Sequence, residues 1–298
     1  MTGAAFEDFT LDHIDVGPAV VRVRHGGTGP PVVLLHGHPC THMAWQKLAP
    51  LLAEHFTVVC PDLRGYGGST VPADQPDHVQ MSKRSLARDV LALMGELGHQ
   101  RFAVVGHDRG SCVGFRLAMD HPEAVRALVN IGGPPIGDAL ASADAAFARS
   151  WWHWFFLGQT EKPAEDVINR DPDAWYGGQP DYVSDAAFAD YRAARRDPLT
   201  VHAMCEDYRA GLTVDRRADD ADRAAGRKLA CPVLVVWGTD DDLEELYGDP
   251  VAAWKDWAAD LGGCAVQAGH SVQEENPAAL GDALVPFLLR TVEAPRQR

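Results

Sequence analysis

Hydrophobic residues in the first 130 positions gather in short, largely β-branched runs at 19–23, 32–35, 57–59, 102–105 and 128–131. Most of these runs are continuous rather than alternating, which is the pattern of strands buried on both faces of a parallel sheet. Between them, positions 81–97 and 111–119 carry apolar residues at helical spacing, and strand alternating with helix predicts an α/β fold. From about residue 133 the strand runs stop. A stretch rich in Ala, Asp, Arg and aromatic residues continues to about residue 230 with helical periodicity. Strand runs then return at 233–237 and 264–266, with helices predicted over 251–261 and 277–289. The expected organisation is a sheet core (1–132 and 231–298) interrupted by a helical cap (133–230). Gly132-Gly133-Pro134-Pro135 and Cys231-Pro232 mark the boundaries as helix and strand breakers. Such a cap sits over the carboxyl edge of the strands, where open α/β sheets bind ligands. The charged stretch 216–223 reads as a solvated face.

The run at 102–105 leads into Gly106-His107-Asp108-Arg109-Gly110 and then into a helix. This is the G-x-nucleophile-x-G elbow, a sharp strand-to-helix turn that exposes its central side chain above the sheet. Here the centre is Asp108. Three more loops fall at the same edge in chain order: His36-Gly37-His38-Pro39, Asp62-Leu63-Arg64-Gly65-Tyr66-Gly67-Gly68-Ser69 and Gly269-His270. His270, after the last strand, is the candidate general base, and the backbone N–H groups of His38 and Arg109 are the candidate oxyanion donors. His36, His42 and His107 read as structural. An aspartate at the elbow changes the chemistry expected. A carboxylate attacking a carbonyl gives only a labile anhydride, whereas displacement at saturated carbon gives a stable alkyl ester. Halides and epoxides are the matching substrates.

These residues resemble the fluoroacetate (haloacetate) dehalogenases of the α/β-hydrolase superfamily. The resemblance extends into the cap through His153-Trp154 and Met204-Cys205-Glu206-Asp207-Tyr208-Arg209-Ala210-Gly211. It implies a halide pocket of His153, Trp154 and Tyr208, and a substrate-carboxylate clamp at Arg109, whose planar fork suits that group. The family pattern has a second arginine one helical turn after the nucleophile, where this chain has Cys112. It also places the triad acid after the sixth strand, where this chain has Asn130. The acidic run Asp240-Asp241-Asp242 after the seventh strand run offers the alternative, with Asp241 the first candidate and Asp240 the next.

The bulk properties narrow the partners. With 27 Lys and Arg against 42 Asp and Glu the formal charge is −15, so nucleic acid and anionic membrane surfaces are unfavourable partners. A small-molecule substrate is expected, and the resemblance allows a homodimer. The six cysteines are scattered without metal-ligand spacing; no metal or cofactor is expected. Neither the acidic first twelve residues nor any later run has the apolar length of a leader or a membrane span, so a soluble cytoplasmic protein is expected. The leading functional reading is hydrolytic dehalogenation of a 2-haloacid. A cap His-Tyr pair opening an epoxide is the alternative, and a non-catalytic binding protein on a hydrolase fold is the third reading.

Overall fold

The strand runs pair into one eight-stranded sheet in a computed structural model that describes residues 6–293. The first five residues of the acidic amino-terminal stretch and residues 294–298 lie outside the described residues. The strands are β1 Thr10–Asp15, β2 Val20–Gly26, β3 Pro31–Leu35, β4 Thr57–Pro61, β5 Phe102–His107, β6 Val125–Ile131, β7 Val233–Gly238 and β8 Leu261–Val266. Their order across the sheet is β1-β2-β4-β3-β5-β6-β7-β8. β2 pairs antiparallel with β1 and β4. From β4 to β8 every pairing is parallel.

Alternate side chains of the central strands feed two separate cores, which is why the runs are apolar throughout. Val33, Leu35, Val104 and Leu128 face Leu86 and Val90 of helix α1 (Lys83–Glu96) and Val113 and Leu117 of α2 (Arg109–Asp120). Val32, Leu34, Val105 and Val129 face Leu280 and Leu284 of the carboxyl-terminal helix, Pro277–Glu293, on the other side. Between β6 and β7 the regular elements among the described residues are all helical. They include α3 (Trp152–Leu157), α4 (Pro198–Ala210) and α5 (Arg216–Ala224). Among the described residues, no helix is long and apolar enough to cross a membrane.

One strand carried no sequence expectation, and two expectations are corrected. β1 went unread because it is an edge strand, largely exposed and paired only with β2, and so carries no buried stripe. The helix expected over 251–261 is only a short 3-10 turn, Ala252–Trp254. The spacing of Trp254 and Trp257 reflects the packing of both rings edge-on against Phe115. The chain then extends: Leu229 N–H donates to Trp257 O (2.8 Å), and Leu261 opens β8. Finally, 216–223 is not a solvated face throughout. Asp219 and Asp222 of α5 are buried, and each lies 2.6 Å from the buried guanidinium of Arg116 on α2.

That network joins the helical layer to the sheet layer through charge. Removing the cation would leave buried Asp219 with only the Gly137 N–H as a partner and Asp222 with the half-exposed Arg227, and breaking a buried pair this way costs about 3–5 kcal/mol. An Arg116→Met variant is therefore expected to lose about 3 kcal/mol or more of unfolding free energy in urea. A loss below about 1 kcal/mol, the scale of an exposed pair, would contradict the assignment.

Candidate active site

β5 ends and α2 begins within one residue, and the turn requires Asp108 to adopt φ +50° and ψ −120°. This conformation is costly for a side chain with a Cβ and survives only where the surroundings enforce it. Glycines make the turn possible. A Cβ at Gly106 would meet Gly110 O at 2.5 Å, one at Gly110 would collide with Leu35 O, and one at Gly37 would overlap the Asp108 carboxyl group. The Asp108 side chain consequently stands above the sheet edge against the β3 loop, where His38 N–H donates to its Oδ1 at 2.7 Å.

Burial alone would raise the Asp108 pKa. The facing imidazoles of His270 and His107 and the Arg109 backbone N–H outweigh it and hold the group at about 2. Both sequence-predicted oxyanion donors, His38 N–H and Arg109 N–H, thus already face the carboxylate in the resting state. The Asp108 carboxyl group is ionised across the physiological range.

His270, in the loop after β8, lies with Nε2 4.0 Å from Asp108 Oδ2 and Nδ1 3.0 Å from Asp241 Oδ2. Desolvation opposes the ring's charge, but the bond to Asp241 and the charges of Asp241 and Asp108 raise its pKa to about 9. It is an imidazolium between two carboxylates. Asp241 is itself steadied by the Asp242 N–H at 2.9 Å. The alternatives for the acid fall elsewhere. Asp240 accepts from Gln267 Nε2 at 2.7 Å. Buried Asn130 directs its amide nitrogen at Gly132 O and Gly133 O (2.8 and 3.1 Å) and its oxygen at Ser111 Oγ (3.2 Å), bracing the loop after β6. Of the histidines read as structural, His36 accepts from Leu63 N–H, His42 pairs with Asp62 and His107 pairs with His270 O.

A cavity of about 190 Å³ opens over Asp108, and His270, Arg109, Cys112, Trp151, His153 and Trp154 are in its wall. Helix α3 delivers His153 and Trp154. Tyr208 of α4 stands one layer behind: it is buried, 5.9 Å from His153 and 6.3 Å from Trp154 between ring centroids, with the Arg109 guanidinium 4.3 Å above its ring. Burial keeps His153 neutral by lowering its pKa, and pushes the Cys112 thiol up to about 11. Among the described residues, no cluster of three or more His, Cys, Asp or Glu is placed to hold a metal ion.

Two connections had no sequence signal. Arg109 is not an open fork: Nη2 donates to Asp207 O and Oδ1 (2.8 and 2.9 Å) and Nε reaches Asp207 Oδ2 at 3.4 Å. Asp207 also binds Lys83 Nζ and the Tyr66 hydroxyl. The second is Trp151, which donates to Asp242 Oδ2 at 2.8 Å and stacks on Trp154, joining the loop after β7 to α3.

A family model for the alpha/beta hydrolase fold matches residues 30–277. A fluoroacetate dehalogenase from Burkholderia sp is 39% identical over 95% of both chains. The chain is a haloacetate dehalogenase-like α/β hydrolase. This hydrolase is also 34% identical to a soluble epoxide hydrolase from Corynebacterium sp. (strain C12), over 88% of this chain and 91% of that one. A crystal structure from Nostoc sp PCC 7120 (ALR0039) superposes with a TM-score of 0.91 at 39% identity, covering 95% of this chain and 99% of that one.

The ion triad predicts a titration. By NMR, one imidazole should hold its proton to a pKa of about 9, and Asp241→Asn should lower that value by more than about one unit, because a paired carboxylate within hydrogen-bond reach stabilises the charged form by at least that much. Asp240→Asn should leave it unchanged. The opposite pattern would move the acid to Asp240.

Proposed function

We propose that this hydrolase cleaves the carbon–halogen bond of a haloacetate or related 2-haloacid through an alkyl ester on Asp108. The observation that carries this reading is the elbow carboxylate itself, held ionised at about 2 beneath a small cavity and backed by His270 and Asp241. Asp108 attacks the carbon bearing the halogen, and the carbon–halogen bonding pair departs with the halide. His153 and Trp154 line the cavity and bring an imidazole and an indole N–H, donors suited to a leaving anion. Tyr208 supports them from behind. A cavity of about 190 Å³ is below the range of drug-sized ligand sites, about 300–1,000 Å³, which suits a substrate of a few heavy atoms. Arg109 is the cation in its wall for the carboxyl end.

Ester formation changes His270. Once Asp108 is alkylated its charge is gone, so one of the carboxylates that raise the imidazole pKa is lost. The ring releases its proton more readily and can then take one from water. The hydroxide equivalent adds to the Asp108 carbonyl carbon. His38 and Arg109 N–H hold the oxyanion, and collapse regenerates the carboxylate and frees the 2-hydroxy acid. The sum is haloacid plus water giving hydroxy acid, halide and a proton.

One observation favours the epoxide reading. Cys112 puts a neutral thiol in the wall where a second cation would serve a carboxylate, and an epoxide oxygen needs only a donor, which His153 in the wall supplies with Tyr208 behind it. Ion chromatography of halide released from fluoro-, chloro- and bromoacetate separates the readings. Release by the wild type that falls to the buffer background in Asp108→Asn is expected. No release from any of the three, together with Asp108-dependent diol formation from a small epoxide, would replace this reading with the alternative.

A further inference from the structure

Arg109 has five N–H donors, and the protein itself occupies most of the fork. Nη2 is held by Asp207 through two oxygens, and Nε leans on the same carboxylate. Gly211 closes over that side: a Cβ there would lie 2.8 Å from Nη2. The ring centroids of Tyr208 and Trp154 lie 4.3 and 5.4 Å from the guanidinium carbon, so two aromatic rings flank the group. Nη1 is left. It is buried and has no hydrogen-bond partner among the described residues, although Arg109 forms part of the cavity wall. A buried donor without a partner costs about 1–3 kcal/mol, a cost that a ligand oxygen reaching Nη1 would relieve.

The surrounding charge bears on what that ligand is. Asp207 divides its charge between the guanidinium it grips and Lys83, which lies outside the cavity wall. The cavity wall otherwise holds three carboxyl groups, Asp108, Asp241 and Asp242, against the His270 imidazolium. Cys112 adds no charge, and the Ser111 hydroxyl is turned to Asp108 O at 2.6 Å. An incoming carboxylate would therefore place one oxygen on Nη1 and find no second cation for the other. A carbonyl oxygen needs only the first contact.

We infer that the site holds the acyl end of its substrate by a single Arg109 N–H, with Asp207 as the positioning residue, and so dehalogenates neutral α-halo amides as readily as haloacetate. This rests on the alkyl-ester reading above. The steps balance in the same way: Asp108 displaces chloride from the CH2 of chloroacetamide, and water with His270 as base then cleaves the ester to 2-hydroxyacetamide, with one proton released.

The test is kcat/KM for chloride release from chloroacetate and from chloroacetamide, with the Asp108→Asn rate subtracted to remove direct thiol alkylation. The inference expects chloroacetate to be favoured by no more than about tenfold; a site built to bind both carboxylate oxygens would reject the amide far more strongly, by a factor on the order of 10⁴. A preference for chloroacetate above about tenfold overturns the single-contact inference and leaves the alkyl-ester reading standing. Absence of Asp108-dependent chloride from both substrates overturns both. Asp207→Asn adds a readout for positioning. Removing the carboxylate that neutralises Arg109 should shift the ratio toward chloroacetate by about tenfold, the scale of one charge-assisted hydrogen bond, mainly through KM. An unchanged ratio in the folded variant removes Asp207 from the account. The wild-type ratio remains decisive if that variant does not fold.

Discussion

The structure depends on the turn that holds Asp108 at φ +50°. A backbone conformation this unfavourable persists only if its neighbours leave no other, and here they are glycines from two loops, Gly106 and Gly110 on either side of Asp108 and Gly37 opposite. The parallel strands β3, β5 and β6 bring those loops to one edge in register. The same approach that removes a Cβ at Gly37 delivers His38 N–H to the carboxylate. Strain at Asp108 and the placement of the N–H donors around its carboxylate are one feature of the fold.

Charge then divides the labour. Asp108 is kept ionised by a cation it faces, and that cation is kept protonated by Asp241. Each pKa depends on the other's charge, so chemistry at Asp108 alters the state of His270 without any movement of the chain. Arg109 shows the same economy at the other end of the cavity. Its carboxylate partner Asp207 lies on α4, which also carries Tyr208, so one helix meets the guanidinium with both a carboxylate and a ring.

The central strands were legible in the sequence because burial on both faces leaves continuous apolar runs, and the elbow because glycines at fixed spacing around Asp108 have a steric cause. β1 was not legible, since an edge strand buries nothing regularly. The spacing of Trp254 and Trp257 imitated a helix because both rings serve Phe115 from an irregular segment. At the site, loop order pointed to His270 and Asp241, and the structure puts them 3.0 Å apart. The hold on Arg109 could not be read. Asp207 lies 98 positions from it and 124 from Lys83, and a contact across such separation leaves no periodic trace. The burial of Asp219 and Asp222 was hidden for a related reason: their cation, Arg116, comes from a helix of the other layer.

The central claim is that Asp108 forms a covalent ester which His270 then resolves. Its most direct measurement is intact-mass and peptide-mapping spectrometry of a His270→Gln variant after exposure to bromoacetate. The account predicts one carboxymethyl adduct that accumulates on Asp108 and is lost in the Asp108→Asn, His270→Gln double variant. No adduct, or an adduct mapped to Cys112 instead, would contradict it.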